Sequence, residues 1–222
     1  MSKSLLPNLY AHRGFHNLKI KENTLESLEN AYKNQFTAIE FDIWLAENDK
    51  LIISHDQPKN SNEFFYPLLE NFLKYQNHFN YWLDFKNIDL NNIDKILTLV
   101  ANALLQQNID RNKVIFAPYI TDYSLALKIL NKFKNFFLQE CNFAFICDET
   151  SNIDELHHYF SVEKIDFLSI YHKLITPNFL QKIAPEKILA WTVNDENILN
   201  DLINLGVKNF ATDRILPQIS RN

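Results

Sequence analysis

Ala38-Ile39-Glu40-Phe41-Asp42-Ile43-Trp44-Leu45 is separated only by Ala46-Glu47-Asn48-Asp49-Lys50 from Leu51-Ile52-Ile53-Ser54-His55-Asp56. In the first stretch Ile39, Phe41 and Ile43 alternate with Glu40 and Asp42, so an extended chain sends the apolar side chains to one face and both acids to the other. The gap leaves no room for a crossover helix, and the second stretch must return antiparallel as the other arm of a hairpin. With the turn centred on Asn48 and Asp49, Asp42 lies opposite His55 and Glu40 lies near Gln57.

Outward from this hairpin, strand-like and helix-like segments alternate. Strands are predicted at Leu9 to Arg13, Ala38 to Leu45, Tyr81 to Lys86, Lys113 to Ala117, Phe143 to Cys147, Asp166 to Tyr171, Lys187 to Val193 and Lys208 to Ala211. Amphipathic helices are predicted at Leu25 to Gln35, Ile93 to Gln107, Ser124 to Lys134, Ile153 to Tyr159, Pro177 to Ile183 and Glu196 to Leu205. The chain has two glycines, Gly14 and Gly206, so neither a P-loop nor a G-x-G-x-x-G turn can be written. The alternation therefore predicts an α/β fold, a TIM (β/α)8 barrel with a β-hairpin extension after strand two, as one domain over residues 1–222. Asn23 with Glu26, or Thr24 alone, can cap the helix beginning at Leu25, and Gly206 suits a helix C-terminus.

A formal net charge of -5 over 222 residues supplies no broad basic face, so no nucleic-acid partner is expected and an anionic substrate must be met locally. Cys141 and Cys147 are read as buried free thiols. No uncharged apolar run reaches the roughly 18 residues of a membrane span, and the N-terminal apolar stretch is too short for a signal peptide, so a soluble cytoplasmic protein is expected. The oligomeric state is left open.

In an outward-helix barrel the apolar face of Ala38–Ile43 packs on helices and Glu40 and Asp42 point inward. An unpaired carboxylate there costs several kcal/mol, a large fraction of a domain's stability. Tyr81-Trp82-Leu83-Asp84-Phe85-Lys86 repeats the device, adding an acid and a cation to the same interior. Three carboxylates on neighbouring strand ends suit a hard divalent cation, Mg2+ or Ca2+, whereas zinc would call for cysteine or clustered neutral histidine. A buried salt-bridge network of these acids with Arg13 or Lys86 is the purely structural alternative.

Ala11-His12-Arg13-Gly14 ends the first strand at the C-terminal mouth, where barrel enzymes keep their catalytic groups. Gly14 allows a sharp turn and Arg13 offers a planar donor fork for an oxyanion. His12 and His55 could flank a bound phosphodiester, one removing a proton and the other supplying one. Glu40, Asp42 and Asp84 against a divalent cation, Arg13 and Lys86 leave one positive charge, which a diester monoanion balances. Glu22 and Asn23 could reach the mouth, His16 is read as a surface-loop residue or a pocket residue, and Asp213 as a helix cap or turn former.

With these residues in place the chain resembles the glycerophosphodiester phosphodiesterase family. The matching stretches are Ala11-His12-Arg13-Gly14, Glu22-Asn23-Thr24-Leu25, Ile39-Glu40-Phe41-Asp42 leading to Ser54-His55-Asp56, Leu83-Asp84-Phe85-Lys86, Trp191-Thr192-Val193-Asn194-Asp195, and Gly206 with Thr212-Asp213. The resemblance implies a barrel enzyme that hydrolyses glycerophosphodiesters to sn-glycerol 3-phosphate and an alcohol. It implies His12 and His55 as general acid and base, and Glu40, Asp42 and Asp84 as the cation's ligands. Arg13 and Lys86 then contact phosphate and Trp191 lines the pocket for a small-molecule or headgroup phosphodiester. Attack by the glycerol 2-hydroxyl through a cyclic phosphate would resemble the phosphoinositide phospholipases, and a catalytically silent binding barrel is the non-enzymatic alternative. Asp84 stands where the family usually has Glu, and Gln57 to Trp82 is much shorter than the family's insertion, so a largely lost lid is expected.

Overall fold

The alternation of apolar and polar residues closes into a ring in the computed structural model, which describes residues 6–59, 66–138, 140–162 and 165–218. The strands are β1 (Asn8–Ala11), β2 (Ala38–Leu45), β3 (Leu51–Ile53), β4 (Asn80–Phe85), β5 (Val114–Pro118), β6 (Asn142–Cys147), β7 (Phe167–Tyr171), β8 (Ile188–Trp191) and β9 (Asn209–Thr212). They form one nine-stranded sheet in the order β1-β9-β8-β7-β6-β5-β4-β2-β3, and a parallel β1–β2 pairing closes it. Among the described strands only β3 runs antiparallel to its neighbour, so the closed part is an eight-stranded parallel barrel and β3 is its hairpin extension, as expected.

The helices are α1 (Leu25–Lys33), α2 (Leu69–Phe72), α3 (Ile93–Gln106), α4 (Tyr123–Phe136), α5 (Ile153–Val162) and α6 (Glu196–Asn204). Their starts follow from side-chain caps: Thr24 accepts from Ser27 N in a capping box, Asp122 accepts from Leu125 N, and Asp195 accepts from Asn197 N and Ile198 N. Gly206 closes α6 with φ 94°, its N–H reaching Ile203 O at 2.9 Å.

The pleat separates two apolar layers. Ile39, Phe41, Ile43, Leu83, Phe85 and Phe116 face outward into the layer shared with the helices. Tyr10, Ala38, Trp82, Ile115, Ala144 and Leu189 fill the barrel interior. The outer layer is dominated by aromatic contacts; Phe116 lies 4.6 Å from Phe133 and 5.3 Å from Phe137 between ring centroids. A Phe→Ala truncation at such a site typically costs about 3–5 kcal/mol, so this layer is what fixes the strands and hence the inward residues. Phe136, next to the buried Phe137, is 45% exposed. Cys147 is buried and Cys141 half-buried, both as free thiols.

Two sequence expectations are corrected. The hairpin register is one residue off: Ile43 pairs with Ile53, Trp44 with Ile52 and Leu45 with Leu51, so Asp42 lies opposite Ser54 rather than His55. The reason is the loop, in which Ala46 N donates to Lys50 O and Asp49 takes φ 61°, centring the turn on Asn48 in a three-residue hairpin loop. The helix expected at Pro177 to Ile183 is only a 3-10 turn at Phe179–Gln181, one of three such turns between β7 and β8. Pro177 and the extended Ala184 before Pro185 bound a window too short for helix propagation, although Ile175, Phe179 and Ile183 still bury their side chains. In the shortened stretch from Gln57 to Trp82, the described residues hold α2 and a 3-10 helix at Leu73–His78, whose Leu69, Phe72 and Leu73 pack into the outer layer. Residues 60–65 of that stretch lie outside the described residues.

Candidate active site

The barrel mouth opens on a cavity of about 430 Å³ lined by His12, Arg13, Glu40, Asp42, His55, Asp84, Lys86 and Trp191, with Trp44, Trp82, Tyr119, Ile146 and Ser169. Every residue singled out from the sequence as a catalytic, cation or substrate group therefore faces one space.

Strand pairing sets the depth of each group. Glu40 pairs with Trp82 and Asp42 with Asp84, which stacks two inward levels on adjacent strands. Asp42 and Glu40 are 1% and 3% exposed. At the end of β1 the chain turns sharply, with Arg13 at φ 53° and Gly14 at φ 75°. The turn is pinned to the neighbouring strand by Arg13 N donating to Glu40 Oε2 at 2.9 Å and Gly14 N to Glu40 O at 3.3 Å. A left-handed non-glycine residue costs on the order of 1–2 kcal/mol, and here that strain turns the Arg13 side chain back toward β2.

The charges interlock. Lys86 Nζ lies 2.8 Å from Asp42 Oδ1 and 2.7 Å from Asp84 Oδ2. Arg13 Nε lies 3.3 Å from Asp42 Oδ2, and its Nη1 donates to both carboxylate oxygens of Glu22 at 3.0 and 3.2 Å. Burial would raise Asp42, but Lys86 and Arg13 outweigh it and hold this carboxyl below its usual range. Glu40 is pushed well up, first by burial and then by Asp42 and Asp84. Asp84 is also raised by burial, against the pull of Lys86.

Glu40, Asp42 and Asp84 each present a carboxylate oxygen within 4.8 Å of the others. Asp84 Oδ1 is buried without a protein hydrogen-bond partner, so a hard-oxygen donor set with one free ligand atom is in place. These residues fit a divalent cation of the Mg2+ or Ca2+ class.

The histidines differ in their settings. His12 Nδ1 donates to Asp213 Oδ1 at 2.7 Å, which leaves Nε2 facing the cavity, 3.8 Å from Glu40 Oε2. Asp213 also accepts from His16 Nε2 at 3.0 Å on the same oxygen and from Asn194 Nδ2 at 2.7 Å on the other. Burial would raise the Asp213 carboxyl, but the hydrogen bonds from His12 and His16 dominate and hold it far below its usual range. His55 stands at the rim with a side chain 41% exposed, beyond the end of β3, its Nδ1 2.9 Å from Asp56. Its carbonyl accepts from Trp44 Nε1 at 3.3 Å, so His55 reaches the cavity through this anchor rather than through strand pairing.

Four residues do more here than the sequence reading assigned to them. Asn23 is not the helix cap; Thr24 is, and Asn23, with φ 55°, donates to Asp42 Oδ2 at 2.7 Å. Glu22 adds a carboxylate on Arg13 that the charge count from the sequence left out. Asp213 is neither cap nor turn former but the acceptor behind His12, and His16, from the loop after β1, shares that acceptor. The quoted motifs Glu22-Asn23-Thr24-Leu25 and Thr212-Asp213 contained the signal, but spacing does not reveal the pairing, which for Asp213 and His12 spans 201 residues.

Residues 12–64 match the model of the glycerophosphoryl diester phosphodiesterase family. No curated protein matches the chain significantly. Among solved structures, the barrel is similar to an Oleispira antarctica phosphodiesterase in complex with the product sn-glycerol-3-phosphate, at 19% identity and TM-score 0.71, covering 94% of this chain and 93% of that one. It is also similar to a glycerophosphodiester phosphodiesterase from Thermotoga maritima, at 18% identity and TM-score 0.70, covering 93% of this chain and 94% of that one. A third, from Parabacteroides distasonis, has 18% identity, TM-score 0.69 and 94% coverage of both chains. The solved structures bear out the barrel, and the match of residues 12–64 to the family model agrees with the resemblance read from the motifs of that stretch.

Proposed function

We propose that this protein hydrolyses a glycerophosphodiester to glycerol phosphate and an alcohol, with a divalent cation, Mg2+ or Ca2+, held by Glu40, Asp42 and Asp84. The observation that carries the reading is the convergence of those three carboxylates with His12, Arg13 and Lys86 in one cavity. The Oleispira phosphodiesterase, of the same fold, holds sn-glycerol-3-phosphate as its product. When bound, the cation supplies positive charge that polarises a non-bridging phosphate oxygen.

His12 is the general base in this reading. Its Nδ1–H is fixed on Asp213, so the lone pair of Nε2 points into the cavity, where it can take the proton of the attacking hydroxyl. His55, at the open rim, is the acid that protonates the departing alcohol as its P–O bond breaks. Lys86 and Arg13 lie beside the acids and add positive charge where the phosphorane gathers negative charge. The attacking hydroxyl is water or the substrate's own 2-hydroxyl, and the second route passes through a cyclic phosphate visible by ³¹P NMR.

The test is turnover of glycerophosphocholine, glycerophosphoethanolamine and bis(p-nitrophenyl) phosphate, with EDTA and with added Mg2+ or Ca2+. No turnover of any diester under any of these conditions would sink the proposal. No helix among the described residues is long and apolar enough to cross a membrane, and a cytoplasmic site of action belongs to the same proposal, tested by cell fractionation.

A further inference from the structure

The cavity has two chemically different sides. The side built from β1, β2 and β4 carries the acids, Arg13 and Lys86, whereas β5 to β8 contribute Tyr119, Ile146, Ser169 and Trp191 and no carboxylate or ammonium group. Beneath the acids lies Trp82, which pairs with Glu40 and Ile115 one inward level below Asp84. Ser169 faces the same space from β7, level with Ile146 and Leu189.

Trp82 Nε1, Ser169 Oγ and Trp191 Nε1 are buried with no protein hydrogen-bond partner. Trp82 is 2% and Ser169 1% exposed. A buried donor left without an acceptor is unfavourable, and Phe or Ala at these positions would fill nearly the same volume without that penalty. Three such atoms on one cavity point to oxygen acceptors brought by a ligand. An indole N–H can only donate, and a serine hydroxyl both donates and accepts, so the complementary group carries hydroxyl oxygens. Ala117, beside Asp84, and Ala144 are small inward residues that leave room for such a group within the barrel.

We infer that Trp82 and Ser169, together with Trp191, form a hydroxyl-reading subsite inside the barrel, which holds the uncharged polyol retained on phosphorus and directs the departing alcohol to the His55 side. This rests on the proposed phosphodiesterase reading and assigns the residues that choose which half of the substrate enters the barrel. A tryptophan at 82 and a serine at 169 thereby become specificity determinants rather than filler.

Ser169→Ala and Trp82→Phe, each checked by thermal melting, test the inference. One readout is binding of sn-glycerol 3-phosphate and of inorganic phosphate by calorimetry; the other is kcat/KM on glycerophosphoethanolamine and on bis(p-nitrophenyl) phosphate, which has no hydroxyls. The affinity ratio of glycerol phosphate to phosphate, and the kcat/KM ratio of glycerophosphodiester to p-nitrophenyl diester, should each fall about tenfold per variant. Unchanged ratios in both variants, or wild-type protein that binds glycerol phosphate no more tightly than phosphate, would overturn it. Should the wild type turn over no diester, the phosphodiesterase reading fails, and the two binding affinities still decide whether the subsite exists.

Discussion

Replacing Lys86 with methionine isolates the electrostatics of the barrel mouth. The ammonium lies 2.8 Å from Asp42 and 2.7 Å from Asp84, with the lysine side chain only 12% exposed. At an effective dielectric near 20 each contact has a gross attraction of about 6 kcal/mol, most of it offset by the desolvation of the ions. Removing one member of a buried pair costs about 3–5 kcal/mol, because the surviving charge stays buried. Asp84, already raised by burial against the pull of Lys86, loses that pull in the variant, and the expected loss is about 3–4 kcal/mol, within the range for a broken buried pair. For a chain of this size that lowers Tm by roughly 6–16 °C. Differential scanning calorimetry in EDTA at neutral pH measures it, followed by the same scans with Mg2+ and with Ca2+. The variant should regain more on adding the cation than the wild type gains, since the cation's charge replaces the missing ammonium beside Asp42 and Asp84. Lowering the pH should narrow the gap, because Asp42, deprived of Lys86, protonates more readily. A Tm within about 2 °C of wild type in EDTA would refute the buried-pair argument; a gap that no divalent cation reduces would refute the cation assignment.

Gly14→Ala brings a Cβ to 2.4 Å from Ser27 Oγ and 2.8 Å from the Ser27 carbonyl carbon, at a backbone φ of 75°. Overpacking and left-handed strain together predict a loss of about 2–4 kcal/mol, read as a Tm lowered by roughly 4–16 °C, and an unchanged melt would contradict it. Asp213→Asn keeps the shape but offers a single acceptor oxygen where His12, His16 and Asn194 converge as donors. It should lower kcat by about 10²–10⁴-fold with little change in KM or Tm; a wild-type kcat would remove Asp213 from the role of orienting His12. Glu40 has its folded-state pKa raised above the ordinary 4.5, so its contribution to stability is full below 4.5 and is lost as pH rises through the folded value. In EDTA, raising the pH above 4.5 should therefore cost wild type more Tm than Glu40→Gln; parallel curves would show that Glu40 does not contribute in this way.

The fold was legible because strand periodicity and connection length act locally. Glu40 and Asp42 alternating with Ile39, Phe41 and Ile43 could satisfy both faces only in a barrel with helices outside, and the short gap before Leu51 forced a hairpin. What escaped the reading was also local but finer. The hairpin register turned on whether Asp49 adopts a left-handed conformation, a choice that residue type permits without dictating. The connection between β7 and β8 has apolar spacing compatible with a helix, yet Pro177 and Pro185 confine it to 3-10 turns.

The site was legible in a different proportion, for a physical reason. Charged residues inside a barrel betray themselves, since Glu40, Asp42, Asp84 and Lys86 break an apolar pattern. Residues that hold those charges in place do not, because Asn23, Glu22 and Asp213 sit in loops where polar side chains are ordinary. Asn23 and Glu22 act through pairs that residue type alone does not announce: Asn23 with Asp42, and Glu22 with Arg13. Asp213 meets His12 because β9 pairs with β1 and closes the ring, bringing together residues 201 apart in sequence. Closure is therefore not only what makes the barrel stable. It delivers the acceptor that orients the proposed base, so a change that weakens the β1–β9 pairing should cost activity before it costs the fold, through loss of the His12–Asp213 contact.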